Sequence, residues 1–234
     1  MMVMMVTSKS ASVSRPACEN PSAETCLHEM LEGPPVWDDP QLLQVIKEEF
    51  LRPPVHVQDI PPILEGMEVE VLEAVNKTVG PVDFLVATVG VNLELVKELS
   101  KRATGIWIDP RPWQNQAPSV VSNMWHTHAC LTPSIPYVNT RHEQCLSLAS
   151  LLTALGSPRV DLVLAPGVKM NTVLHPMCDL YPQRPKAILF GRILQPDDIP
   201  EEFRHCTKSL VHVTGQYSLI LLHSGSPSTS RQDL

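Results

Sequence analysis

The chain has 234 residues, 43% of them hydrophobic, with 18 Lys/Arg against 25 Asp/Glu and a formal net charge of −7. That length holds one α/β domain of roughly 150–200 residues plus a loose end, and an acidic balance without Lys/Arg runs excludes nucleic acid as a main partner. No apolar run approaches the ~20 residues of a membrane span. The opening Met1-Met-Val-Met-Met-Val6 is shorter than a signal-peptide core and lacks its leading positive charge, so the residues alone read as soluble and untargeted.

Residues 1–35 are rich in Ser, Pro, Ala and Glu and read as a disordered leader. The domain is expected over 36–223, followed by a loose polar tail, 224–234. Asp38-Asp39-Pro40 can start a helix whose stripe is Leu42, Leu43, Val45, Ile46, Phe50 and Leu51, stopped by Pro53. A Pro-rich link, 53–62, leads to a second helix over about 65–77, ended by Gly80-Pro81.

The periodicity then predicts strand 82–89, helix 92–102 with Asn92 as N-cap, and strand 105–108. A short helix over 112–121, a strand over 124–130 and a turn-rich connection over 132–140 follow. Helix 146–155, strand 160–164, helix 168–175 and strand 186–190 come next. A short helix over 199–206 precedes strands 209–214 and 217–222, joined at Gly215-Gln216 as an antiparallel hairpin. An alternating βα series closed by such a hairpin is an α/β, Rossmann-like pattern, mostly parallel with an antiparallel C-terminal pair.

The chemistry concentrates where strand 105–108 ends. In Thr104-Gly-Ile-Trp-Ile-Asp-Pro-Arg-Pro112 an acid, Asp109, stands directly after the strand. In a nucleotide-binding βαβ unit such an acid holds the ribose hydroxyls, and the turn after the first strand is glycine-rich so that backbone can approach the ligand. Here that turn is Ala87-Thr88-Val89-Gly90-Val91-Asn92, with one glycine. Thr88, Gly90 and Asn92 can line a cleft at the strand ends, or form a plain strand-to-helix turn. Asp109 can bind ribose, or simply end a strand and cap the next helix.

His126-Thr127-His128, with His142 nearby, sets two imidazoles on one face if the segment is extended, but no third ligand is evident and no metal is expected. The six cysteines (18, 26, 130, 145, 178 and 206) form no C-x-x-C pair. They are ordinary thiols in a reducing compartment, the simpler reading, or up to three bridges in a secretory lumen. Asn76-Lys77-Thr78 fits the N-glycosylation pattern and becomes informative only once the compartment is known.

From about Asp39 to Leu222 the chain resembles the FkbM-type methyltransferase domain, within it the animal group around Star and nearby methyltransferase-like proteins. The resemblance is carried by Asp39-Pro-Gln-Leu-Leu-Gln-Val-Ile-Lys-Glu-Glu-Phe-Leu-Arg-Pro-Pro54, by Gly105-Ile-Trp-Ile-Asp-Pro-Arg-Pro112, by Trp125-His-Thr-His-Ala-Cys-Leu-Thr-Pro133, and by Cys145 to Leu155 with Val160-Asp161. It implies an S-adenosylmethionine methyltransferase fold. The family carries Glu-x-Gly-Ala-x-Asp-Gly after the first strand, where this chain has Ala87 to Asn92. It carries Asp-Val-Glu-Gly-Ala-Glu after the fourth strand, where this chain has Pro166-Gly-Val-Lys-Met-Asn171. Of the family's ligand-facing acids only Asp109 has a counterpart.

Two expectations follow. The favoured one is a non-catalytic protein that keeps the fold as a scaffold. Its likeness to Star implies a role in sorting membrane-bound growth-factor precursors between endoplasmic reticulum and Golgi, with a protein partner and a place in the secretory pathway. The alternative is an S-adenosylmethionine-dependent O-methyltransferase using Asp109, Gly90, Thr88 and Asn92. The scaffold reading expects the cleft above Gly90 and Asp109 to be partly filled by Val89, Val91, Lys169 and Met170.

Overall fold

The computed structural model describes residues 38–54, 64, 66–109, 123–133, 137–138 and 144–225. The expected leader, most of the Pro-rich link, the helix over 112–121, His142, and the end of the tail lie outside them. Helix α1, Pro40–Val45, starts where Asp39 Oδ1 accepts the Leu42 N–H at 3.1 Å, and it widens into a π-type turn, Ile46–Phe50. Helix α2, Met67–Thr78, buries Val71 and Val75, and the N–H groups of Val79 and Gly80 close its last turn on Val75 O. Gly80 then takes φ +75°, a left-handed exit that favours glycine.

The elements that follow are β1 (Phe84–Ala87), α3 (Leu93–Ser100), β2 (Thr104–Ile108), β3 (Met124–Thr127), β4 (Cys130–Thr132), β5 (Tyr137–Val138), β6 (Gln144–Ser147), α4 (Leu148–Ala154), β7 (Leu162–Leu164), α5 (Met170–His175, continued by a π-type turn, Pro176–Leu180), β8 (Ala187–Phe190), β9 (Thr207–His212) and β10 (Ser218–Leu222). Seven of the strands form one sheet in the order β3-β2-β1-β7-β8-β10-β9. The pairs β3-β2, β2-β1, β1-β7 and β7-β8 are parallel, whereas β10 runs antiparallel to both β8 and β9. The sheet is therefore mostly parallel, with one reversed strand lying one place in from the edge.

Both faces are covered, as a parallel sheet requires. Val86, Ile106, Ile108, Val163, Ile188 and Phe190 point to one side and pack with residues of α1, α4 and α5. Leu85, Ala87, Trp107, Leu162, Leu164 and Leu189 point to the other, against α2 and α3. The near-continuous apolar strands of the sequence are the direct consequence of burial on both sides.

The three central strands are tied at their starts by Asp161. Its Oδ2 accepts the N–H groups of Asp83 at 2.8 Å and Phe84 at 3.1 Å, and its Oδ1 lies 2.9 Å from Lys186 Nζ, just before β8. Its own N–H donates to Phe84 O at 3.0 Å, and its carbonyl accepts from Lys186 and Ala187.

Three expectations needed correction. The predicted strand 124–130 divides: β3 ends at Thr127, and Cys130 begins a separate three-stranded sheet in the order β4-β6-β5. The predicted helix 146–155 is shorter, because Gln144–Ser147 is β6, paired with β4 in register Cys130↔Cys145. In place of a helix over 199–206 there is a single 3₁₀ turn, Glu201–Phe203, and another, Pro196–Asp198, precedes it.

Burial alone would push the Asp161 carboxyl up, but Lys186 and the N–H groups of Asp83 and Phe84 outweigh it and hold the carboxyl below its usual range. A lowered folded pKa means that the stabilisation is present above the unfolded value of about 3.9 and is lost as pH falls through the folded one. Asp161→Asn is expected to cost about 1–3 kcal/mol at neutral pH. Urea melts at pH 7 and at decreasing pH below about 4 should show the gap between wild type and variant closing. A gap unchanged by acid would exclude this role.

Candidate functional site

The chain leaves β1 through α3 on one face of the sheet and leaves β7 through α5 on the other. Adjacent strands whose connections depart in opposite directions open a crevice at their carboxyl ends, the usual ligand position in such sheets. A cavity of about 420 Å³ lies there. Thr88 and Val89 line it after β1, Ile108 at the end of β2, and Gly167, Val168 and Lys169 after β7, with Thr172 on α5. Ala129, Cys130, Leu131 and Pro133 complete the described wall.

The two loops meet backbone to backbone. The Gly167 N–H donates to Val89 O at 3.2 Å. A Cβ on Gly167 would stand 2.6 Å from that same oxygen, closer than real Cβ atoms come. Gly90 adopts φ +87°, and a Cβ there would lie 3.3 Å from Gly167 backbone. Two glycines thus allow the β1 and β7 loops to close on each other, rather than leaving the first loop open for close approach to a ligand.

The candidate residues of the sequence are distributed unevenly around this cavity. Thr88 is on its wall, but its N–H and its hydroxyl both donate to Leu164 O at 3.0 Å, so the hydroxyl is used in the fold. Gly90 shapes the loop without lining the cavity. Asn92 faces away from it: Oδ1 caps α3 by accepting the Glu94 N–H at 2.7 Å, and Nδ2 donates to Glu68 Oε1 at 2.8 Å on α2. Of its two sequence readings, the structure assigns Asn92 the cap.

Asp109 directly follows β2, the immediate neighbour of β1, as the strand-helix-strand spacing predicts. Its N–H donates to Thr127 O at 3.1 Å, yet only 7% of the residue is exposed and it is not part of the cavity wall. The expected filling is partial. Val89 and Lys169 stand on the wall, Met170 is buried in the core, and a substantial volume remains.

His126 and His128 do not share an environment. His126 is buried in β3, stacked on Trp107 with ring centroids 6.4 Å apart, whereas His128 lies beyond the strand end and is exposed. The period-two argument fails because the strand stops between them. Among the described residues no group of three His, Cys, Asp or Glu side chains could hold a metal ion.

The four described cysteines take the bridged reading. Cys130 is joined to Cys145 across β4 and β6, and Cys178 to Cys206, tying the end of α5 to the segment before β9. Both pairings depend on non-local strand and helix contacts, which spacing alone does not reveal. Beside the second bridge, Asp179 accepts from His175 Nδ1 at 3.1 Å and lies 3.4 Å from His205 Nε2. Sequence reasoning did not single out Leu131 or Thr172. The available signal for Thr172 was its position three residues after Lys169, one helical turn away.

No protein-family model matches the chain, and no curated protein matches it. Among the described residues no helix is long and apolar enough to cross a membrane.

Non-reduced peptide mapping is expected to recover Cys130 with Cys145 and Cys178 with Cys206. Replacing both Cys178 and Cys206 by alanine should remove about 2–4 kcal/mol of stability, because the bridge restrains the unfolded chain. A melt identical to wild type would show that the second bridge does not form.

Proposed function

We propose that this chain is a diverged protein of the FkbM-type S-adenosylmethionine methyltransferase fold that works without catalysis, as a binding scaffold in the secretory pathway. The mostly parallel sheet with its reversed strand β10 and the acid after β2 are compatible with that fold. The observation that carries the non-catalytic part is the charge of the cavity wall. S-adenosylmethionine bears a sulfonium and an ammonium against one carboxylate, and is a net cation. The described wall holds one charged side chain, Lys169, also a cation, and no carboxylate. Asp109, the one retained ligand-facing acid, lies outside it.

The partner follows from the resemblance to the Star group, as a membrane-bound growth-factor precursor carried from endoplasmic reticulum to Golgi. Two disulfides favour an oxidising compartment over a reducing one. In that compartment Asn76, exposed near the end of α2, becomes a glycan acceptor within Asn76-Lys77-Thr78.

The size of the cavity favours a second reading, an active O-methyltransferase, since about 420 Å³ lies within the range of small-molecule sites. Methyl transfer by positioning alone would need no acid–base pair. Calorimetric titration of the purified chain with S-adenosylmethionine separates the two. No binding at millimolar cofactor is expected. Micromolar binding that weakens about ten- to hundredfold in Asp109→Ala would establish the enzyme reading instead.

The compartment is tested independently. Full-length chain from animal cells should lose mass on treatment with an N-glycan-removing amidase, and Asn76→Gln should abolish that change. Retention of the unmodified mass in wild type would argue against luminal residence.

A further inference from the structure

The cavity at the carboxyl ends of β1, β2 and β7 has a composition that selects a ligand. Val89, Ile108, Leu131 and Val168 give its described wall a set of apolar side chains. Its described polar side chains are Thr88, Lys169 and Thr172, and Lys169 is the charged one among them. Lys169, exposed at the entry to α5, precedes Thr172 by three residues, and both lie on the wall. Residues so spaced at a helix start share a face, so an ammonium and a hydroxyl, both able to donate, border one side of the cavity.

We propose that this cavity binds a small amphipathic anion, with two or three rings or an equivalent alkyl body in the apolar part and one acidic head at Lys169 and Thr172. A flexible, strongly hydrated ammonium suits a single carboxylate, sulfonate or phosphate oxygen at the mouth of a site. A net cation meets like charge there, and a neutral apolar body leaves the ammonium unused. The Cys130–Cys145 bridge holds β4 to β6 on the same wall, which keeps Leu131 in place beside the cavity. This inference rests on the reading that S-adenosylmethionine does not occupy the cavity.

The probe is anilinonaphthalene sulfonate, whose fluorescence rises in apolar surroundings, compared with N-phenylnaphthylamine, the same rings without the sulfonate. Saturable one-to-one binding of the sulfonate, about tenfold tighter than the neutral probe, is expected. Lys169→Gln is at an exposed position and should remove that tenfold preference while leaving the neutral probe unchanged. Leu131→Trp, at a half-buried wall position, should exclude both probes. Equal affinity for the two probes, an undiminished preference in Lys169→Gln, or undiminished binding in Leu131→Trp would each overturn the proposal. Adding S-adenosylmethionine distinguishes the failures. Displacement of the sulfonate by micromolar cofactor would sink the non-catalytic reading and this one together. Failure of probe discrimination with no cofactor binding would sink this one alone.

Discussion

One carboxylate sets the geometry on which the cavity depends. Asp161 sits at the start of β7 and holds the first amides of β1 on one side and Lys186, before β8, on the other. With its side chain 5% exposed, the group costs desolvation that only several simultaneous partners offset. In return three neighbouring strands begin at one level. Their registers, Leu85↔Leu162 and Leu162↔Ala187, then fix where each strand ends and where its loop departs. The crevice at the opposite end lies where the connections of this aligned β1–β7 pair leave on opposite faces of the sheet.

At that opposite end the structure balances closure against opening. Gly90 and Gly167 bring the β1 and β7 loops into backbone contact. The cavity lies between the ends of β1, β2 and β7 and the start of α5, and among its described wall residues Lys169 is the one charged side chain. Under the proposed reading, the charge of Lys169 disfavours a cationic ligand in this cavity.

The two bridges reinforce the regions least supported by the main sheet. Cys130–Cys145 joins strands of the small second sheet, and Cys178–Cys206 ties the end of α5 to single-turn helices interrupted by proline. Short elements bury little apolar surface each, so covalent restraint of the unfolded chain contributes where packing is thin. This distribution agrees with a protein that folds where thiols are oxidised, as the proposed secretory role requires.

Much of the framework was legible because it is local. Apolar runs such as Leu85-Val86-Ala87 and Ile106-Trp-Ile108 mark buried strands, Asn92 marks a helix start, and the spacing between them places Asp109 after the strand next to β1. The limits appear where a residue's role depends on what approaches it from elsewhere in the chain. Asp109 reads as a ligand-facing acid, yet burial removes it from the cavity wall. Gly90 reads as a relic of a cofactor turn, yet it packs on Gly167. Cys130 and Cys178 read as thiols until strands and helices distant in sequence bring Cys145 and Cys206 beside them. By itself the sequence determined the βα alternation of the main sheet and the acid at the end of β2, because periodicity and capping act over a few residues. Only the tertiary structure decided the strand order, the bridges and the character of the cavity, because each depends on contacts between segments that no local pattern encodes.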